Sequence, residues 1–311
     1  MPVTVLFAAQ PDRWAQYEAP LRSALDATGL DYDLRTEAEP ETVDYIVYAP
    51  NSAVRDFTPY TRLKAVLNLW AGVEGVVGND TLTVPLTRMV DDEGLGQGMV
   101  EYVTGHVLRH HLGLDAHVTN LARDWHPAPP PLAADRPVTM LGLGALGRAC
   151  AEALAGLGFP VTGWSRTAKA IDGIRCLSGE EGLAEALRGA QIVVALLPLT
   201  PRTENLLDAD RLALPARGAA LINPGRGALV DDDALLSALD AGRIGHATLD
   251  VFRTEPLPRD HPYWAHARVT VTPHVASATR PATAARVIAE NIRRSESGEP
   301  LLHLVDRARG Y

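Results

Sequence analysis

The chain has 311 residues, of which 46% are hydrophobic and 22% charged, and a formal net charge of −9. That length exceeds one ordinary core and predicts two domains, and the mixture is globular rather than disordered. The acidic balance excludes a nucleic-acid surface, which needs clustered positive charge, so an anionic substrate has to be met by locally placed arginines.

Residues 1–9 carry no basic residue and Asp12 and Arg13 follow soon after, so no signal peptide is expected, and no apolar run reaches membrane-spanning length. Residues 3–9 form a β-rich apolar run and predict the first strand. Residues 12–27 carry helical spacing that Gly29 ends. Further strands are predicted at 44–48, 63–70 and 84–89, and a long helix at 96–124. The proline-rich connector 125–137 follows, with Pro127, Pro129, Pro130 and Pro131. A second series of strands is predicted at 138–141, 160–164, 192–197, 219–222, 247–251 and 269–272, with a last helix at 281–297 that returns to cover the first sheet.

Strands separated by helical patterns predict an α/β protein with two Rossmann-like, doubly wound parallel-sheet domains and a cleft between them. Residues 1–96 with 282–311 are assigned to a flavodoxin-like substrate domain, and 97–281 to a dinucleotide-binding Rossmann domain. Two cysteines, Cys150 and Cys176, make no disulfide framework, and Cys150 falls on an apolar helix face. A cytoplasmic protein with reduced thiols is expected, with neither a nucleic-acid nor a membrane partner.

The segment Gly142-Leu143-Gly144-Ala145-Leu146-Gly147 directly follows the strand Val138-Thr139-Met140-Leu141 and opens a helix. In that context G-x-G-x-x-G is a dinucleotide fingerprint. Gly142 allows the tight turn, Gly144 lets the backbone approach the pyrophosphate, and Gly147 permits close helix packing. The end of the next strand reads Trp164-Ser165-Arg166-Thr167 and carries no carboxylate for the ribose hydroxyls. Arg166 can pair with a 2′-phosphate, and Ser165 and Thr167 can donate to it, so NADPH is expected over NADH, with NADH tolerated.

Three segments fall where strands of the second series end: Asn223-Pro224-Gly225-Arg226-Gly227, Asp250-Val251-Phe252-Arg253-Thr254-Glu255-Pro256 and Thr272-Pro273-His274-Val275. Ligands of open α/β sheets bind outside those ends. Arg226 can grip the carboxylate or carbonyl oxygen of a 2-oxo acid with a directional fork. His274 as imidazolium can protonate the carbonyl oxygen while hydride arrives. A carboxylate at Glu255 beside it favours the charged imidazole.

On residues 142–147, 197–203, 223–227, 249–256 and Pro273-His274, the chain resembles the D-isomer-specific 2-hydroxyacid dehydrogenase family, over nearly its whole length. Within it, His261-Pro262-Tyr263-Trp264 and residues 273–281 are similar to the glyoxylate/hydroxypyruvate reductase A group. The resemblance implies Arg226, Glu255 and His274 as the catalytic trio, and NADPH-dependent reduction of small anionic 2-oxo acids such as glyoxylate and hydroxypyruvate. It implies that the backbone amides of Ala71 and Gly72 receive the substrate carboxylate. It implies cofactor contacts at Leu197, Pro198, Thr203, Pro224, Gly225 and Ser277, with Asp250 near the nicotinamide carboxamide. It also implies a homodimer built on the helix after residue 96. The chain departs from the family at Pro224-Gly225, before the arginine, and at Glu74, where Asp is common.

First-lobe side chains facing the substrate are left open among Tyr48, Asn51 and Trp70. Two other readings of the same fold are a dinucleotide-sensing regulatory protein and a dehydrogenase of a larger D-2-hydroxy acid. The i, i+4 pair His106 and His110 has metal-ligand spacing but no third ligand nearby, and no metal is expected. Asp231-Asp232-Asp233 is read as a helix N-terminus.

Overall fold

Apolar runs become strands and the stretches between them helices in a computed structural model that describes residues 2–118, 123, 125 and 127–311. In chain order these are β1 (Val3–Ala8), α1 (Pro11–Asp26), β2 (Tyr32–Arg35), β3 (Tyr45–Tyr48), β4 (Ala65–Asn68) and β5 (Leu86–Thr87). There follow α2 (Gln97–Leu112), α3 (Leu114–Val118), β6 (Val138–Leu141), α4 (Ala145–Gly156), β7 (Val161–Ser165), β8 (Arg175–Ser178) and α5 (Gly179–Leu187). Then come β9 (Ile192–Ala195), α6 (Ala209–Leu212), β10 (Ala219–Asn223), α7 (Asp232–Asp240), β11 (Ile244–Leu249), β12 (Val269–Val271) and α8 (Pro281–Glu296).

The chain divides into two compact units, Met1–Leu95 with Ala278–Tyr311, and Gly96–Ser277. The breaks thus fall before Gly96 and after Ser277, not after residues 96 and 281. In the first unit the sheet order is β2-β1-β3-β4-β5, all parallel. β3 and β4 are buried along their whole length, as expected for parallel strands covered on both faces. Helix α8 buries Ala284, Ala285, Ile288, Ala289 and Ile292 on one stripe and packs against α1.

In the second unit the order is β12-β11-β10-β9-β6-β7-β8, again all parallel. The chain runs outward from β6 to β7 and β8, then returns to the other side of β6 at β9. That reversal is a topological switch point, and the carboxyl ends of β6 and β9 face it. Asp231 caps α7, its Oδ1 accepting the Ala234 N–H at 2.9 Å, as the acidic run predicts.

Three features differ from the sequence reading. The edge strands β2 and β8 are additional; each is four residues long with only two apolar or aromatic positions, Tyr-Asp-Leu-Arg and Arg-Cys-Leu-Ser, because an edge strand is partly open to water. The long helix stops at Leu112, where Gly113 turns left-handed (φ 64°) and its N–H caps the Arg109 carbonyl. Of its expected last residues, 119–122 and 124 lie outside the described residues.

Candidate active site

The glycine loop leaves β6 at the switch point. Gly142 has φ 108°, closed to a side chain, and a Cβ there would strike the Leu196 carbonyl. Gly147 packs onto the Gly142 carbonyl so closely that any side chain would displace it. Gly144 is the opposite case: it is exposed, and a Cβ would meet nothing within 4 Å. The N–H groups of Ala145 and Leu146, in the first turn of α4, have no acceptor among the described residues. Open backbone and orphan donors at a helix start suit a pyrophosphate.

After β7 the expected phosphate-binding residues divide. Arg166 and Thr167 are exposed. The Ser165 hydroxyl is buried and donates to the Thr167 carbonyl at 2.8 Å, so here it shapes the turn. The Trp164 side chain lies in the core, its Nε1 donating to the Gly179 carbonyl at 2.8 Å, which leaves only its backbone at the loop. Thr203 likewise ties its own loop, donating to Pro198 O at 2.7 Å and accepting from Thr200 N at 2.8 Å. Leu197 packs into the core, while Pro198 and Ser277 are half-buried.

The ends of β10, β11 and β12 deliver the three polar side chains. Asn223, itself buried, accepts the Gly225 N–H at 3.1 Å and donates to the Arg226 carbonyl at 2.9 Å, clamping the Pro224–Gly225 turn. Arg226 Nη1 donates to the Gly225 carbonyl at 2.6 Å. Gly227 fits against the Phe252 backbone with no room for a side chain, which ties the arginine loop to the loop after β11.

In that next loop Glu255 Oε1 accepts the Phe252 N–H at 2.9 Å. Its Oε2 lies 2.7 Å from His274 Nδ1. The contact puts the proton of a neutral imidazole on Nδ1 and leaves Nε2 for substrate. His274 is left-handed (φ 53°), a conformation that costs a residue with a Cβ about 1 kcal/mol. It is held there by Asp250, whose carbonyl accepts the His274 N–H at 2.9 Å. The Asp250 carboxylate is fully buried and accepts from Thr272 Oγ1 (2.6 Å), Val275 N (2.9 Å) and Ala276 N (2.9 Å). Asp250 therefore faces the protein and sets the turn, a structural task the sequence does not announce.

In the first unit, the loop after β4 carries another device that sequence reading misses. Asn68 is buried and donates through Nδ2 to the carbonyls of Trp70 (2.8 Å) and Gly72 (2.9 Å). In a trans peptide the N–H points opposite to the C=O. Drawing those two carbonyls inward turns the N–H groups of Ala71 and Val73 the other way. The N–H groups of Ala71, Gly72 and Val73 have no acceptor among the described residues. Successive free amides of this kind form an anion-binding nest. Of the first-lobe candidates, Tyr48 is buried with its hydroxyl on the Val54 carbonyl, Asn51 is exposed, and Trp70 is exposed beside the amides.

His106 and His110 serve the interior. His110 Nε2 pairs with Thr248 Oγ1 at 2.9 Å, and the His106 ring packs on Tyr102 with centroids 4.4 Å apart. Among the described residues no three His, Cys, Asp or Glu side chains are placed to hold a metal ion, and no helix is long and apolar enough to cross a membrane.

A helix start with open amides at the switch point, on the same sheet as an imidazole–carboxylate pair, defines the class: an NAD(P)-dependent oxidoreductase. Residues 105–276, more than half of the chain, match the family model "D-isomer specific 2-hydroxyacid dehydrogenase, NAD binding domain". The chain belongs to the D-isomer specific 2-hydroxyacid dehydrogenase family. It is 42% identical over 258 residues to glyoxylate/hydroxypyruvate reductase A of Serratia proteamaculans, covering 80% of this chain and 82% of that one. Its fold matches the crystal structure of a D-isomer specific 2-hydroxyacid dehydrogenase from Xanthobacter autotrophicus Py2 in complex with NADPH and MES, with a TM-score of 0.93, 43% identity and full coverage of both chains. It also matches the NADPH-dependent glyoxylate/hydroxypyruvate reductase of Sinorhizobium meliloti in complex with NADP and sulfate, with a TM-score of 0.87, 33% identity and coverage of 99% and 100%.

Proposed function

We propose that this chain reduces glyoxylate, hydroxypyruvate and similar small 2-oxo acids to 2-hydroxy acids, with NADPH as reductant. The observation that carries the reading is the 2.7 Å His274–Glu255 pair on the sheet that also bears the glycine loop. NADPH, when bound, supplies the hydride. His274 Nε2 gives the proton to the substrate's former carbonyl oxygen, and the Glu255 carboxylate holds the ring in the right tautomer and offsets its positive charge. Arg226 offers a fork to the substrate's oxygens and stabilises negative charge as it develops. The amides of Ala71 and Gly72, with Val73 beside them, take the carboxylate. In the reverse direction neutral His274 is the base.

The second unit is assigned the dinucleotide and the first the substrate. The open backbone at Gly144 and the first-turn amides of Ala145 and Leu146 suit the pyrophosphate. Exposed Arg166, with no carboxylate among its strand-end neighbours, favours NADPH, and the similar structures that hold NADPH or NADP support it. We assign the protein to the cytoplasm, in keeping with its two free cysteines. We also assign it a homodimer through α2 and the segment after it. Leu112, Leu114, Val118, Trp125 and Leu132 are exposed along this stretch, with Trp125 at 96% relative exposure. Such a series is costly in a monomer.

The test is a steady-state panel. Loss of nicotinamide absorbance with NADPH and glyoxylate or hydroxypyruvate is expected, with longer 2-oxo acids poorer. No turnover with any 2-oxo acid and either cofactor would sink the reading.

A further inference from the structure

Helix α2 carries a tyrosine that none of the chemistry above uses. Tyr102 Oη lies 2.7 Å from Thr272 Oγ1, and Thr272 Oγ1 donates to Asp250 Oδ1 at 2.6 Å. The threonine hydroxyl has a single proton. With that proton on the carboxylate, its oxygen can only accept, so the donor in the first contact is Tyr102. Burial pushes the Tyr102 phenol up to about 12, and it keeps its proton at neutral pH. The His106 ring packs against it, with centroids 4.4 Å apart.

The Asp250 carboxylate at the end of this chain also accepts the N–H groups of Val275 and Ala276, the two residues after His274. A left-handed histidine persists only when its surroundings over-determine it. Asp250 supplies much of that constraint through its carbonyl and both carboxylate oxygens, and one of its three carboxylate donors is oriented from α2.

We propose that Tyr102 is a positioning residue for His274: its hydroxyl, acting through Thr272 and Asp250, holds the turn that presents the imidazole. This rests on the reductase reading, in which His274 moves the proton.

Tyr102→Phe removes only the terminal hydroxyl, Thr272→Val removes the link, and Thr272→Ser keeps it. Loss of one neutral hydrogen bond predicts a kcat about three- to tenfold lower for Tyr102→Phe, with the Kd for NADPH changed by less than about twofold. Thr272→Val is expected to lose at least as much, the double variant no more than Thr272→Val alone, and Thr272→Ser to restore the rate. Amide hydrogen exchange at Val275 and Ala276, measured without substrate, is expected to quicken in Tyr102→Phe while Leu141 in β6 is unchanged. An unchanged kcat, multiplying losses in the double variant, or unchanged exchange at Val275 and Ala276 overturns the proposal. A wild-type protein that reduces no 2-oxo acid overturns the reductase reading alone, and the exchange measurement still decides whether Tyr102 holds the turn.

Discussion

His274 Nδ1 and Glu255 Oε2 stand 2.7 Å apart, although the two side chains leave different strands of one sheet. The carboxylate's other oxygen is tied to the Phe252 N–H, so Glu255 cannot swing away without giving up a second bond. Glu255→Gln keeps a group of the same shape but removes the charge that faces the imidazolium. A fall in kcat of about ten- to a hundredfold is expected, against about a hundred- to ten-thousandfold for His274→Ala, which removes the proposed proton donor itself. In both variants NADPH affinity, read by nicotinamide fluorescence, should hold. A His274→Ala enzyme with undiminished turnover would end the acid/base assignment.

Arg166 is expected to set the choice between dinucleotides. A charge-assisted pair with a phosphate is worth about 1.5–3 kcal/mol, so Arg166→Ala should weaken NADPH by about tenfold or more. NADH has no 2′-phosphate, and its KM should stay put. Equal losses for the two cofactors would show that Arg166 does not read that phosphate.

The third prediction concerns Asn68, which touches no substrate in the scheme above. Asn68→Ala frees the carbonyls of Trp70 and Gly72 and releases the outward set of the Ala71 and Val73 amides. KM for the 2-oxo acid should rise about tenfold, the equivalent of one hydrogen bond's worth of lost orientation. The KM for NADPH should not move. A variant whose KM for the 2-oxo acid is unaltered would remove this loop from the carboxylate site.

Stability should fall on acidification. Burial above all, then the charges of His246 and Arg109, pushes His110 down from 6.5 to about 3, with Asp115 opposing and His106 adding to the fall. His246 and His106 are lowered too, again chiefly by burial. The folded state therefore refuses a proton that the unfolded chain accepts below pH 6.5. Stability is full above that value and is lost progressively from pH 6.5 towards pH 3, with His110 alone costing up to about 2 kcal/mol at pH 5. His110→Gln, which can still reach Thr248, should flatten the dependence of the urea midpoint between pH 7 and pH 5. An equally steep dependence in the variant would place the sensitivity elsewhere.

The parts of this protein that a reader of the sequence can find share one property: their signal is local. β6 and β9 announce themselves because a parallel strand covered on both faces reads as a nearly unbroken apolar run. Arg226, Glu255 and His274 stand out as polar residues just past such runs. β2 and β8 hide because an edge strand needs only half as many apolar positions. Asn68, Asp250 and Thr272 hide for another reason. They are polar residues in or beside apolar strands, and their partners, peptide groups for Asn68, peptide groups and a hydroxyl for Asp250, and distant side chains for Thr272, have no local sequence signature. Tyr102 is harder still, since its partner lies 170 positions away along the chain. Trp164 and Ser165 show the converse: residues next to a ligand loop invite a ligand role, and the structure adds that one side chain anchors the core and the other closes a turn.

The pairing of α1 with α8 also has a consequence for how the chain is made. β1 to β5 leave the ribosome about 190 residues before α8 begins, which at 5–20 residues per second is roughly 10–40 s. Through that interval the sheet lacks the apolar stripe of Ala284, Ala285, Ile288, Ala289 and Ile292 that closes one of its helical layers. The continuous unit, Gly96–Ser277, has all its elements in hand first. The nascent chain is thus expected to carry a finished nucleotide fold behind an unfinished, chaperone-accessible partner, and translation arrested before Pro281 should yield a protease-sensitive N-terminal sheet.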